Sequence, residues 1–169
     1  MSMSIYDHVI APLSKMLKNL DAVVSKSEAY AAEHKIEPAA LIQARLFPNM
    51  LPFVFQIRIA TDTAKGAAAR LSGNTVPKWP DDEETFADVH ARIRKAIDFL
   101  ATFKPAQFEG AEKRNIELKL GPREVKFTGA AYITDFVIPN FYFHVTTAYA
   151  ILRHNGVDVG KKDYLGDTA

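Results

Sequence analysis

The sequence predicts an all-α protein, a four-helix bundle with a small β-hairpin between its third and fourth helices. Three observations carry that prediction. Four long stretches repeat apolar side chains at i, i+4, i+7, the period of a helix that buries one face. Between the third and fourth stretches, from Asn115 to Phe127, the period drops to two, as in paired strands. Finally, 169 residues with 48% apolar and 24% charged side chains, and no linker or repeat, fit a single domain spanning 1–169. A chain of that size buries roughly 70% of its unfolded surface in one core.

The first helix begins where Ser4 and Asp7 read as a capping box, satisfying the free N–H groups of a first turn. Its stripe is Tyr6, Ile10, Leu13, Leu17, Leu20 and Val24, and it runs to about His34. Pro12 lies inside it and should bend it or loosen one hydrogen bond. A short helical turn from Ala39 to Leu46 is expected between Pro38 and Pro48.

The second long helix spans about Met50 to Leu71 and closes at Ser72-Gly73-Asn74, where glycine suits a left-handed cap. Phe53, Ile57, Ala60, Ala64, Ala67 and Leu71 form its inner stripe, and its small residues invite a close neighbour. Gln56 and Thr63 sit on the flank of that inward face. Arg58, Thr61, Asp62 and Lys65 gather on the far side and read as a solvated charge cluster.

After the loop Thr75-Val76-Pro77-Lys78-Trp79-Pro80, Asp81 or Asp82 is expected to cap the third helix, with Glu83 and Glu84 in its first turn. Phe86, His90, Ile93, Ile97 and Leu100 form its stripe, and Lys104-Pro105 stops it near Phe103. His90, mid-stripe, reads as a packing residue.

In the hairpin, Ile116, Leu118 and Leu120 alternate with Glu117 and Lys119, Gly121-Pro122 turns, and Val125 and Phe127 alternate with Glu124 and Lys126. Two strands alone are marginal, so the hairpin must lie on the bundle. The fourth helix runs from about Thr128 to Asn155-Gly156, kinked or restarted at Pro139. The tail from Val157 to Ala169, anchored by Val157, Val159, Tyr164 and Leu165, is expected to pack across one end.

Composition narrows function mostly by exclusion. Twenty-one basic and 20 acidic residues, well interspersed, give a net charge of +1, which offers no footprint for nucleic acid or an anionic membrane. Without cysteine there is no disulfide, thiolate metal site or thiol nucleophile. No secretory leader and no membrane-spanning window is visible, so a cytoplasmic protein is expected. Glycine-rich phosphate loops, G-x-S-x-G, H-E-x-x-H and paired carboxylates within the stripes are all missing.

The fourth helix carries the candidate site. One of its stripes reads Ile133, Val137, Asn140, His144, Thr147, Ile151, aliphatic at the ends and polar in the middle. Arg153 falls opposite, so His144 points inward if Arg153 points to water. Buried polar groups need partners, so this patch is either a satisfied core network or a site. Gln56 on the second helix is placed where it could face the Asn140–His144 pair, and with Thr63 and Thr147 these five residues form a candidate ligand-binding set. Two ligands at i and i+4 on a bundle helix is a common metal pattern. A neutral amide, however, ligates zinc or nickel poorly beside imidazole or carboxylate. One imidazole and two amides suit a hydrogen-bonding pocket better. His154, at a helix carboxyl end, reads as a cap.

The ending Ile151-Leu152-Arg153-His154-Asn155-Gly156 is similar to the last helix of the DinB/YfiT-like superfamily of bacterial metalloenzymes. With Pro139-Asn140-Phe141-Tyr142-Phe143-His144 and Gly160 to Gly166, the whole chain resembles an uncharacterised domain-of-unknown-function family beside DinB. In DinB proteins the last helix bears two metal histidines four apart. His144 falls on the second, Asn140 on the first, and the helix-two histidine would fall near Gln56 to Ala60, where none occurs. The resemblance implies an up-down DinB-type bundle that dimerises through helix faces. It also implies active relatives that are metal-dependent, some transferring low-molecular-weight thiols. With one of three histidines present, His144 is the sole candidate ligand for a divalent ion such as zinc or nickel, and no resident cofactor is expected.

Three functional expectations follow. The first is a non-catalytic or weakly ligand-binding bundle with a small polar pocket around His144. The alternative is a metal-dependent transferase or hydrolase related to DinB-type thiol transferases, with His144 as ligand and His90 or Asp62 recruited only if the helix phases differ by about 60–100° from those read here. A homodimer acting purely as an interaction protein is a third.

Overall fold

Each predicted stripe becomes a helix. The computed structural model describes residues 4–167, apart from the side chain of Leu120. The four bundle helices are α1 (Ala11–Glu33), α3 (Phe53–Ser72), α4 (Phe86–Ala101) and α6 (Ile138–His154). Around them lie the short helices α2 (Pro38–Ile42), α5 (Gly129–Ala131) and α7 (Lys161–Leu165), and the strands β1 (Asn115–Leu120) and β2 (Arg123–Thr128). Helix α3 packs against both α6 and α4, and α1 against α4. Leu13, Leu17, Leu20 and Val24 of α1 meet Ile93 and Leu100 of α4 and Phe53, Ile57 and Leu71 of α3 in one core with Phe141, Val145 and Ile151 of α6. The buried Ala60, Ala64, Ala67 and Ala68 leave α3 thin enough for two neighbours. No helix among the described residues is long and apolar enough to cross a membrane.

Both internal prolines fall where the helix loosens into a wider turn. Pro12 and Pro139 each stand in the first turn of an α-helix that continues directly from a π-helical turn, Tyr6–Ile10 and Tyr132–Val137 respectively. Proline lacks an N–H and its ring presses on the carbonyl four residues back, and the wider π turn accommodates both effects. At the start of this first element, Ser4 Oγ accepts from Asp7 N–H at 3.2 Å and donates to its carboxylate at 2.7 Å, as a capping serine should. Helix α3 starts at Phe53 rather than Met50 because Pro52 serves as its N-cap. It stops where expected, at Gly73 with φ +80°.

The hairpin pairs Ile116 with Phe127 and Leu118 with Val125 across the two-residue turn Gly121-Pro122. Ile116 and Leu118 are buried against the bundle, as a hairpin that cannot stand alone requires. Where β2 leads into α5, a Cβ on Gly129 would lie 1.8 Å from the Ala111 carbonyl oxygen. Only glycine lets those two segments touch.

Three expectations are corrected. The third bundle helix is capped by Thr85, not by Asp81 or Asp82: Thr85 Oγ1 accepts from Asp88 N–H (3.2 Å), and the Asp88 carboxylate accepts from Thr85 N–H (2.9 Å). Glu83 is not in a first turn at all. It is buried, 7% exposed, and accepts hydrogen bonds from Arg58 Nε at 2.6 Å and Arg92 Nη1 at 2.7 Å. The far side of α3 is therefore not a solvated cluster. Residues 74–84 cross it, burying Thr61 and Lys65 and placing Trp79 under the ammonium groups of Lys65 (4.3 Å) and Lys95 (4.9 Å). Arg92 ties this face together, donating to Thr61 Oγ1 (2.9 Å), Pro80 O (2.8 Å) and Asp62 Oδ1 (3.1 Å).

The tail is the third correction. It runs lengthwise along α1 rather than across an end, with Gly156 against Tyr30, Asp163 on Lys26 (2.7 Å), the Tyr164 carbonyl on Asn19 (3.1 Å) and the Asp167 carbonyl on Lys15 (3.0 Å). Thr168 and Ala169 lie outside the described residues.

Candidate functional site

Helices α3 and α6 run antiparallel, and three polar pairs cross the seam between α3 and the fourth helix, two onto α6 and one onto the π turn Tyr132–Val137 that leads into it. Gln56, Thr63 and Arg70 lie at i, i+7 and i+14, hence on one stripe of α3. They meet His144, Asn140 and Tyr132 in descending order along the fourth helix.

The first pair fixes a tautomer. Gln56, 2% exposed, donates from Nε2 to the Leu51 carbonyl at 2.8 Å. A carbonyl only accepts, so the amide nitrogen must face it and Oε1 must face His144. His144 Nδ1 stands 2.7 Å from that oxygen and must therefore carry the hydrogen. Burial pushes the pKa of His144 below the ordinary histidine range, because desolvation penalises the imidazolium. The ring is accordingly neutral near pH 7, with its lone pair on Nε2. That nitrogen has no protein partner among the described residues. No fully enclosed side-chain nitrogen or oxygen there is left unbonded, so Nε2 opens toward solvent. The exposed Phe143 ring stands edge-on beside it, 5.1 Å between centroids.

In the second pair, Asn140 Nδ2 donates to Thr63 Oγ1 at 2.8 Å, while the Thr63 hydroxyl donates to the Ile59 carbonyl at 2.7 Å. Asn140 Oδ1 has no hydrogen-bond donor among the described residues. Thr147 stands apart from both pairs, since its hydroxyl turns back to the Phe143 carbonyl at 2.7 Å. The third pair is Arg70 Nη1 donating to the Tyr132 hydroxyl at 3.1 Å. Burial raises the pKa of Tyr132, and the nearby guanidinium opposes that rise. Between the second and third pairs opens a cavity of about 230 Å³, lined by Thr63, Asn140, Arg70 and Tyr132, together with Asp62, Ile59, Leu118, Lys119 and Phe136. Gln56, His144 and Thr147 do not line it.

The residues present do not fit the DinB-type metal site. Gln56 Oε1, its only good ligand atom, already accepts from His144. His90 faces α1 instead, with Nδ1 2.5 Å from Asp21 Oδ1 and Nε2 3.6 Å from Glu28. Asp62 reaches the cavity, but its Oδ1 accepts from Lys65 (2.6 Å) and Arg92 (3.1 Å). Among the described residues, no group of three or more His, Asp or Glu side chains could hold a metal ion.

Residues 5–165 match the family model described as Domain of unknown function (DUF1993). The chain belongs to this family. The DUF1993 chain is also similar to the crystal structure of a DinB family member protein from Shewanella denitrificans. The two share 42% identity over 97% of this chain and 93% of that one, with a TM-score of 0.88. The bundle is thus DinB-like in fold. No curated protein matches.

Within this DUF1993 bundle, the structure pairs four of the five candidate residues across one seam and leaves Thr147 out. Sequence reasoning missed Arg70 and Tyr132. The signal available for Arg70 was its heptad spacing from Gln56 and Thr63, which puts all three on one stripe.

Proposed function

We propose that this protein is a non-catalytic bundle that binds a small molecule in the α3–α6 seam, without metal-dependent chemistry. The observation that carries this reading is the state of the donor atoms. Where a DinB-type site would need three ligands, there are two amides hydrogen-bonded into the protein and one neutral imidazole locked by one of them. Such a set offers hydrogen-bond acceptors, Asn140 Oδ1 and His144 Nε2, about one helical turn apart. It offers no negative charge to offset a divalent cation. The ligand rests on the Asn140–Thr63 pair, which forms part of the cavity wall.

Elemental analysis of protein purified without chelators, with thermal denaturation in added divalent ions, tests this. Trace metal and an unchanged melting temperature are expected, whereas near-stoichiometric zinc, nickel or iron overturns it. The proposal includes a homodimer, since Leu51, Phe55 and Phe143 leave exposed apolar surface around the Gln56–His144 end of the seam. Light scattering checks it, and a monomer at all concentrations removes that part.

A further inference from the structure

Arg70 is a half-buried cation with no acidic partner among the described residues. An arginine in the last turn of a helix ordinarily serves the helix dipole and the free carbonyls there. Here those carbonyls are already taken: Gly73 N–H donates to Arg70 O (3.1 Å), Asn74 N–H to Ala69 O (2.7 Å), and Arg114 to Leu71 O. The Arg70 side chain instead folds back one turn, over Gly66. A Cβ on Gly66 would sit 2.2 Å from Arg70 Nη1, so the glycine provides the space in which the guanidinium lies. The Tyr132 hydroxyl holds it from the other side at 3.1 Å. The guanidinium is thus positioned by two elements at the wall of the 230 Å³ cavity.

Lys119 lines the same cavity; Glu124 stands opposite it across the hairpin, but no ion pair joins the two among the described residues. The carboxylate on that wall, Asp62, is neutralised by Lys65 and Arg92. An unpaired, partly desolvated cation is costly unless something anionic completes it. The planar fork of a guanidinium matches a carboxylate in particular. The remaining walls, Ile59, Leu118 and Phe136, are apolar. At about 230 Å³ the space is smaller than the roughly 300–1,000 Å³ of drug-sized sites, so it suits a ligand near the size of one ring.

We infer that the cavity binds a small organic carboxylate with a flat apolar body, the carboxylate on Arg70 and Lys119 and the body against Phe136 and Ile59. This rests on the reading of the α3–α6 seam as a ligand site and names the chemical class of its ligand.

Titrating the ¹⁵N-labelled full chain with benzoate, benzamide or inorganic phosphate tests it, with Arg70→Gln and the exposed Lys119→Gln as variants. Benzoate should shift amides of α3 and α6 around the cavity and bind at least about tenfold more tightly than benzamide or phosphate. Arg70→Gln should weaken benzoate by about tenfold or more, and Lys119→Gln, whose side chain is on the surface, by a smaller factor in a protein that remains folded. If benzamide binds as tightly as benzoate, the seam stays a ligand site and the carboxylate class is wrong. If phosphate equals benzoate, the apolar body is wrong. If no probe shifts the seam, or if both variants bind benzoate as the native chain does, the inference is overturned. Metal content judges the underlying reading separately.

Discussion

Replacing Glu83 with glutamine should unlock the whole far face of α3. The carboxylate is 7% exposed and receives Arg58 at 2.6 Å and Arg92 at 2.7 Å. Burial alone would raise its pKa, but hydrogen bonds from Arg92 and Arg58 outweigh that and hold it below the usual carboxylate range. A glutamine keeps the shape and loses the charge. Its oxygen can accept from one guanidinium only, and its NH₂ then confronts the other donor. Arg92 retains Asp62 (3.1 Å) and Asp81 (2.9 Å), whereas Glu83 is the only acidic partner of Arg58 among the described residues. Breaking a buried pair in this way costs roughly 3–5 kcal/mol. In a protein of this size each kcal/mol lowers the melting temperature by roughly 2–4 °C, so a fall of about 6–20 °C is expected by circular dichroism near neutral pH. Adding Arg58→Met to the glutamine variant should recover part of the loss, because one uncompensated charge is gone. A glutamine variant melting within about 2 °C of the native protein would refute the claim that this network is buried and cooperative.

Further outcomes can be measured the same way. Gly129→Ala places a methyl 1.8 Å from the Ala111 carbonyl and should cost about 1–3 kcal/mol or more in urea unfolding; a neutral result would mean the two segments can separate freely. Gln56→Leu leaves the Leu51 carbonyl and His144 Nδ1–H without their partner and should cost roughly 1–3 kcal/mol, and a stabilised variant would contradict the pairing. His144 also predicts an acid dependence. Its folded pKa lies below that of the unfolded chain, so as pH falls below about 6.5 the unfolded state takes up the proton first. The stability lost should approach about 1.4 kcal/mol per pH unit until the folded value is reached, and His144→Gln should flatten that slope over the same range.

Much of the architecture was legible because it depends on local pattern. The stripes of Leu13, Leu17 and Leu20 and of Phe53, Ile57 and Ala60 place the helices, Gly73 ends α3, and the alternation around Gly121-Pro122 defines the hairpin. What escaped depends on which surface covers which. Arg58, Asp62 and Lys65 look like any solvated helix face until residues 74–84 are laid over them. Asp81 and Asp82 are as good local caps as Thr85, and only the demand of Arg58 and Arg92 for Glu83 moves the helix start onward. At the seam, the inward direction of His144 and Asn140 followed from helical phase. The Arg70–Tyr132 pair needs contact across 62 residues of chain, which periodicity alone does not supply.

The α3–α6 seam depends most directly on one proton, the one on His144 Nδ1. A two-dimensional ¹H–¹⁵N spectrum of the histidine rings, assigned through His144→Gln and followed from about pH 8 to pH 5, reads which nitrogen of His144 carries it. A neutral ring protonated on Nδ1 near pH 7, titrating below the free-histidine value, is the expected result. A ring protonated on Nε2, or an imidazolium near pH 7, would contradict the seam as described.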